Sequence, residues 1–142
     1  MNKFLTATAA VMLAAPAFAE GDAAAGERDF NRCKSCHMIV ADDGAEIVRG
    51  GRTGPNLYGI IGSQAGSVDG FRYGNDLVAV GESGFVWTEE ELAAYVLDPK
   101  GWLEEKLGKS ARSSMAAQRL RTPEDVAAYL ATFSAAEDDA EG

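Results

Sequence analysis

The chain has 142 residues, enough for one domain with a core of its own, and 46% of them are hydrophobic. It carries 13 basic against 22 acidic side chains, a formal net charge of −9, which argues against nucleic acid as a partner. Only two cysteines and one histidine are present, so a site built on these residue types has few candidates.

The first 19 residues have the pattern of a secretory signal peptide. Lys3 gives a positive start, an apolar run covers 4–15, and Ala17-Phe18-Ala19 is a small-x-small cleavage site. The run is too short to span a bilayer, so we expect cleavage after Ala19 and export, in a bacterium, to the periplasm. An uncleaved anchor is the alternative. Loss of Lys3 leaves 12 basic and 22 acidic residues, a net charge of −10.

The mature chain is expected to begin with a helix that leads straight into a cysteine motif. The stretch 21–30 is expected to form a helix with Asp22 as its N-cap, and Gly26 and Phe30 share one face of it. The motif Cys33-Lys34-Ser35-Cys36-His37 follows, and its C-x-x-C-H form is typical of covalent haem attachment. The two thiols can each add to one vinyl group of a single porphyrin, and His37 then supplies an axial nitrogen to the iron.

Three other interpretations of the cysteine pair are open: a thioredoxin-like dithiol, part of a zinc site, and a structural disulfide. The dithiol motif normally accompanies a βαβ pattern, and none precedes Cys33. A zinc site needs further ligands, and the chain has no other Cys or His to supply the usual set. Haem attachment is therefore favoured.

Residues 38–70 are rich in glycine and lack a sustained hydrophobic period, which predicts loops and turns. A loop region this long is unusual in a small domain, and a haem would supply the apolar core that it surrounds. Within it, residues 52–59 predict a rigid turn around Pro55, whose missing N–H leaves neighbouring carbonyls as acceptors. A ligating histidine commonly donates its second ring N–H to such a carbonyl.

Helices are predicted again in the C-terminal half. A short helix is expected over 75–80. The next begins behind Thr88, with Glu91 completing a capping box, and ends near Asp98 because Pro99 follows. A short helical piece is expected over 102–107. The last helix begins at Thr122 and Pro123 and carries an apolar stripe of Val126, Tyr129, Leu130 and Phe133.

No strand pattern of convincing length is present. The predicted fold is therefore mostly α-helical, a single domain over 20–134 in which helices and long loops surround one covalent haem. The acidic residues 135–142 are expected to form a tail without fixed structure.

The second axial ligand of the iron can be sought by elimination. Beyond the signal peptide only Met38 and Met115 remain as methionines, and His37 is the only histidine. Met38 directly follows His37 and cannot reach the other face of the haem. Met115, in a polar loop over 108–117, is therefore the candidate ligand. Lys106, Lys109, water and an open position remain alternatives.

The sequence resembles the class I c-type cytochromes, most closely the bacterial cytochrome c2 group. The resemblance runs from Gly21 to Phe133, and its motifs stand in the family's order. They are the Gly26/Phe30 helix, Cys33–His37, Thr53–Leu57, Phe71-Arg72-Tyr73, Trp87, Tyr95 with Asp98-Pro99-Lys100, Met115 and the Tyr129 helix. The chain departs from the family at Ser63, where a basic residue is usual, and in longer stretches at 38–52 and 100–114.

The resemblance implies roles for individual residues. It implies that the carbonyl of Pro55 accepts the His37 ring proton and that Tyr73 and Trp87 hydrogen bond to a haem propionate. It also implies that Tyr95 contacts the ligand sulfur and that Ser113 lies near the other propionate. By the same resemblance, Gly26 and Phe30 cross the terminal helix at Val126 and Tyr129.

The expected function is that of a periplasmic electron carrier, a monomer and not an enzyme. The family implies a quinol-oxidising cytochrome bc complex as donor and a photosynthetic reaction centre or terminal oxidase as acceptor. Docking through a basic zone is expected, with solvated surface as the alternative; its residues are Lys34, Lys100, Lys106, Lys109 and Arg112. Two other classes remain open: a haem enzyme or gas-binding protein with an open sixth site, and a haem-free thiol oxidoreductase.

Overall fold

The computed structural model describes residues 20–134. The predicted signal peptide, 1–19, and the predicted acidic tail, 135–142, lie outside the described residues. In chain order the elements are α1 (Ala23–Asp29), a 3₁₀ turn (Phe30–Arg32), β1 (Ile39–Val40), β2 (Glu46–Val48), α2 (Asn75–Glu82), α3 (Glu89–Leu97), α4 (Pro99–Leu107) and α5 (Pro123–Ala131).

The first and last helices cross in close contact. Asp22 caps α1, because its Oδ1 accepts hydrogen bonds from the backbone N–H groups of Ala24 at 2.9 Å and Ala25 at 3.2 Å. A Cβ atom at Gly26 would overlap the backbone carbonyl of Asp125 on α5, so only glycine permits this approach. The rings of Phe30 and Tyr129 pack with centroids 5.7 Å apart. The predicted contact of Gly26 and Phe30 with the Tyr129 helix is confirmed.

The junction of α3 and α4 differs from the prediction in two respects. Thr88 does cap α3, accepting from the Glu91 N–H at 3.2 Å, but the Glu91 carboxylate bonds to residues of α4 and not to its own cap. The second difference is that α4 begins at Pro99, three residues before the predicted start. Asp98 accepts from the Gly101 N–H at 3.0 Å, and proline suits the first helical position.

The sequence shows no strand pattern of convincing length, and the structure contains one short hairpin. β1 and β2 form an antiparallel hairpin in which Ile39 lies opposite Val48. A tight turn closes it, because the Ala41 N–H donates to the Ala45 carbonyl at 2.9 Å and Gly44 adopts a φ of 88°. Strands of two and three residues are too short to show an alternating pattern.

The two remaining helices were predicted with different success. α2 extends two residues beyond the predicted end, to Glu82. α5 begins at Pro123 as predicted, but the Thr122 side chain makes no capping hydrogen bond. The apolar stripe of α5 is buried at Val126, Tyr129 and Leu130. None of the helices formed by residues 20–134 combines the length and hydropathy that a membrane crossing requires.

Candidate haem-binding site

A cavity of about 370 Å³ is lined by the residues that the sequence predicts to bind the haem. Its walls come from the C-x-x-C-H motif, the turn around Pro55, α3, the loop that holds Met115, and α5. Most of the lining is apolar, and it includes Leu57, Ile60, Leu92, Leu103 and Leu130. An apolar cavity with a few polar groups is typical of a cofactor site.

The cysteine motif lies at the end of the first helical segment and borders this cavity. The Cys33 N–H donates to the Phe30 carbonyl at 2.8 Å, and the His37 N–H donates to the Cys33 carbonyl at 3.0 Å, so the motif continues as one irregular turn. The thiols of Cys33 and Cys36 are not joined to each other. This geometry gives no support to the structural disulfide.

The two thiols have different environments. Burial raises the pKa of Cys33 to about 11, with smaller contributions from the charges of Asp29 and Cys36. Cys36 is exposed, and hydrogen bonds from Thr53 and Ser35 lower its pKa. The less buried thiol is therefore the one more easily ionised.

The imidazole of His37 is buried and its orientation is fixed. Its Nδ1 lies 2.8 Å from the Pro55 carbonyl oxygen, which confirms the predicted contact. Since a carbonyl only accepts, Nδ1 carries the proton and Nε2 is left as the ligand nitrogen. Burial lowers the pKa of His37, and the bond to Pro55 opposes this in part. The ring is thus held neutral, as metal ligation requires.

Two neighbours of Pro55 were not assigned a role from the sequence. A Cβ atom at Gly54 would overlap the His37 ring, so glycine gives the imidazole its space. Asn56 fastens the turn to β1, because Oδ1 accepts from the Val40 N–H at 3.0 Å and Nδ2 donates to the Val40 carbonyl at 2.8 Å. The Gly-Pro-Asn sequence was the available signal for both residues.

Met115 borders the same cavity as His37, and its side chain packs against the hydrophobic core. The Ser113 hydroxyl holds its backbone, donating to the Met115 carbonyl at 2.8 Å and accepting from the Met115 N–H at 3.1 Å. Lys106 and Lys109, the alternative ligands, are not among the residues that line the cavity. The Lys106 ammonium group instead pairs with Glu91.

Three aromatic residues with implied roles also face this cavity. The Tyr73 hydroxyl accepts from the Val68 N–H at 3.2 Å, and burial raises the pKa of both Tyr73 and Tyr95. Trp87 is buried and packs against Tyr95 with ring centroids 5.0 Å apart. All three line the cavity, and their implied contacts with a haem propionate and with the ligand sulfur stay predictions.

The five cations expected at the docking surface are not equivalent. Arg112 lines the cavity. Lys100 pairs with Glu104, and Lys106 pairs with Glu91. Lys34 and Lys109 are exposed. Arg112 therefore lies at the cavity rim, whereas Lys100 and Lys106 form ion pairs with carboxylates of the same chain.

Comparison with known proteins identifies the family of this chain. The sequence is 58% identical to cytochrome c2 of Rhodobacter capsulatus over 125 residues, which cover 87% of this chain and 90% of that protein. The chain belongs to the class I c-type cytochromes, close to the bacterial cytochrome c2 group. It is also 57% identical to cytochrome c-551 of Roseobacter denitrificans over 136 residues, covering 92% of this chain and 97% of that one. No family model matches the chain.

Solved structures of cytochromes agree with the fold. The crystal structure of cytochrome c2 from Rhodobacter capsulatus superposes with a TM-score of 0.77 at 56% identity, covering 79% of this chain and 97% of that one. Ferric cytochrome c-550 from Paracoccus versutus gives a TM-score of 0.78 at 51% identity, covering 81% and 99%. The predicted mostly helical class I cytochrome fold is confirmed.

Membership of this cytochrome family also settles the cofactor and the general activity. The family carries one covalent haem c, and Cys33 and Cys36 are the two cysteines spaced to attach it. The protein transfers electrons and is not an enzyme. The predicted haem and the predicted electron-carrier class are both confirmed.

Proposed function

We propose that this cytochrome is a periplasmic shuttle whose haem iron is held by His37 and Met115. The observation that carries the proposal is that both side chains line one apolar cavity. The residues present fit a haem: a neutral imidazole with Nε2 available, a thioether in an ordered loop, and two thiols at the rim. Bound there, the haem supplies a one-electron couple whose potential thioether ligation raises.

The chain's own residues serve this activity by limiting change at the site. Pro55 and Gly54 fix the His37 ring on one side, and Ser113 fixes the backbone of Met115. Apolar side chains such as Leu57 and Leu103 exclude water from the cavity. A site that keeps both ligands leaves no position open for a substrate, which argues against the haem enzyme and the gas-binding protein.

Optical spectra of the haem-loaded protein test the ligand assignment. We expect the thioether-to-ferric-iron band in the wild type, its loss in Met115→Ala, and its retention in the control Met38→Leu. The assignment fails if the band is absent from the wild type or survives Met115→Ala. Carbon monoxide binding by the wild-type ferrous protein would instead support an open sixth site.

The proposed partners are membrane redox complexes. A quinol-oxidising cytochrome bc complex would donate the electron, and a photosynthetic reaction centre or a terminal oxidase would accept it, as family membership suggests. Exposed Lys34 and Lys109 support docking to acidic surfaces, together with Arg112 at the cavity rim.

Electron-transfer kinetics with the isolated complexes test the partner proposal. We expect second-order rates that fall with ionic strength, and lower rates for Lys34→Glu and Lys109→Glu than for Arg28→Glu on α1. Equal rates for all three variants would contradict docking at this surface. Export is tested separately by sequencing the amino terminus of the mature protein, which we expect to begin at Glu20.

A further inference from the structure

The two tryptophans of the chain stack on each other beside the cavity. Trp87 stands just before α3, and Trp102 lies on α4. Their ring centroids are 5.1 Å apart and their planes meet at 25°. Trp87 lines the cavity and Trp102 does not, so Trp102 forms a second layer behind the cavity wall.

A carboxylate on α3 holds this second layer in place. The Trp102 indole N–H donates to Glu91 Oε2 at 2.8 Å, and Glu91 Oε1 pairs with Lys106 Nζ. The same ammonium group lies 5.4 Å from the ring centroid of Trp102 and 5.4 Å from that of Phe85. Glu91 therefore ties α3 to α4 and fixes the plane of the outer indole.

The inner indole has no comparable polar anchor. The Trp87 backbone is fastened, since its N–H donates to the Ser63 carbonyl at 2.9 Å and its carbonyl accepts from Gly62. Its indole N–H, however, donates to no acceptor within residues 20–134. Among residues 20–134, every fully buried side-chain N or O atom has a hydrogen-bond partner. Because the Trp87 indole nitrogen has none, it is not fully buried. The ring orientation is thus set by packing against Trp102, Phe85 and Tyr95.

We infer that Glu91 is a positioning residue for the haem site: it orients Trp102, and Trp102 holds the Trp87 indole with its N–H available to the cavity. The inference rests on the proposed function in one respect, namely that a haem occupies this cavity. When the Trp87 ring is fixed, its N–H offsets negative charge on the haem. When the ring is mobile, the N–H offsets that charge less. Weaker compensation favours the ferric form and lowers the reduction potential.

The sign of the potential change separates positioning from simple charge. Removing a carboxylate by itself raises the potential, because less negative charge remains to stabilise ferric iron. Glu90, the exposed neighbour on the same helix, provides the matched control. We expect the midpoint potential of the haem-loaded protein to fall in Glu91→Ala and to stay level or rise in Glu90→Ala.

Two further variants isolate the hydrogen bond. Trp102→Phe removes the N–H without changing the charge, and we expect it to lower the potential as Glu91→Ala does. Glu91→Gln keeps an oxygen that can accept from Trp102, so it should restore most of the loss. The chain has two tryptophans, so NMR of the haem-loaded protein should show two indole N–H signals. The Trp87 signal should shift in Glu91→Ala and remain unchanged in Glu90→Ala.

The outcomes distinguish this inference from the proposed function. A wild-type spectrum with the thioether band, combined with equal potentials and an unmoved Trp87 signal in Glu91→Ala and Glu90→Ala, overturns the positioning role alone. Loss of the proposed ligation would show in the wild-type spectrum, before any variant of Glu91 is made. If Trp102→Phe does not fold, the Glu91→Ala and Glu90→Ala pair still decides the question.

Discussion

His37 and Pro55 are 18 residues apart in sequence, yet the imidazole Nδ1 lies 2.8 Å from the Pro55 carbonyl oxygen. Gly54, which precedes that proline, lies directly against the imidazole ring. One short turn therefore does two things: it selects which ring nitrogen remains for the iron, and it sets how far the ring can rotate. The turn is itself fastened to β1 through Asn56.

Substitution of Gly54 by alanine should disturb the axial ligand. The new methyl group would overlap the His37 ring, and overpacking of this kind typically costs about 1–3 kcal/mol. We expect a lower free energy of unfolding by urea, together with a changed haem spectrum. Gly44→Ala provides a control: it strains a turn with φ of 88° but meets no atom within 4 Å, so it should lower stability without changing the spectrum. An unchanged spectrum in Gly54→Ala would contradict the role given to the turn.

Loss of the Ser113 hydroxyl should loosen the methionine loop. Ser113→Ala removes the two hydrogen bonds to the Met115 backbone, each worth about 0.5–1.5 kcal/mol. A foreign ligand such as imidazole must displace Met115 from the iron. The ferric Ser113→Ala protein should therefore bind imidazole roughly 5- to 150-fold more tightly than the wild type does. Ser114→Ala removes a neighbouring hydroxyl that makes no hydrogen bond within the described chain and should bind as the wild type does. Equal affinities for both variants would count against the proposed restraint.

The sequence could predict the chemistry of the site better than its supporting contacts. Cys33, Cys36, His37 and Met115 could be identified because the chain offers so few residues of these types. Helix starts at Asp22, Thr88 and Pro123 could be predicted because capping depends on neighbours a few residues apart. The ligand roles themselves remain proposals.

What the sequence could not predict depends on contacts between distant segments or on very short elements. Glu91 has the spacing of a capping box, but its carboxylate bonds to Trp102 and Lys106 on the next helix. No local pattern distinguishes these two outcomes. The hairpin of β1 and β2 is too short for a periodic signal, and the start of α4 depended on Asp98 acting as a cap after ending α3.

The ion pair of Glu91 predicts a pH dependence of stability. Burial tends to raise the pKa of Glu91, but hydrogen bonds from Lys106 and Trp102 outweigh this and hold the pKa below its ordinary value of 4.5. A carboxyl with a depressed folded-state pKa contributes stability above its unfolded pKa and loses it as the pH falls through the folded value. The wild type should therefore exceed Glu91→Gln in unfolding free energy near neutral pH.

Urea unfolding measured from pH 7 to pH 3 checks this expectation. The difference between wild type and Glu91→Gln should narrow only below about pH 4.5, the ordinary value of the carboxyl. Glu90→Gln removes one negative charge without breaking an ion pair to α4 in the described structure, and so controls for the change in net charge. A difference that stays constant down to pH 3 would contradict the role of the ionised carboxylate.

The crossing of α1 and α5 allows packing and helix propensity to be tested against each other. Alanine is favoured over glycine by about 1 kcal/mol inside a helix, so propensity alone predicts that Gly26→Ala stabilises the protein. The added Cβ would overlap the Asp125 carbonyl and lie 2.9 Å from the Tyr129 Cβ. Because backbone atoms cannot turn aside, α5 would have to move, at a typical cost of about 1–3 kcal/mol.

We therefore expect Gly26→Ala to lower the free energy of unfolding, as measured by urea titration. The haem spectrum should not change, because Gly26 does not line the cavity. Glu27→Ala places alanine at the adjacent exposed position of α1 and should change stability by less than about 0.5 kcal/mol. A Gly26→Ala protein more stable than the wild type would mean that the two helices are not held at the observed distance, and that their close approach does not limit the residue at this crossing.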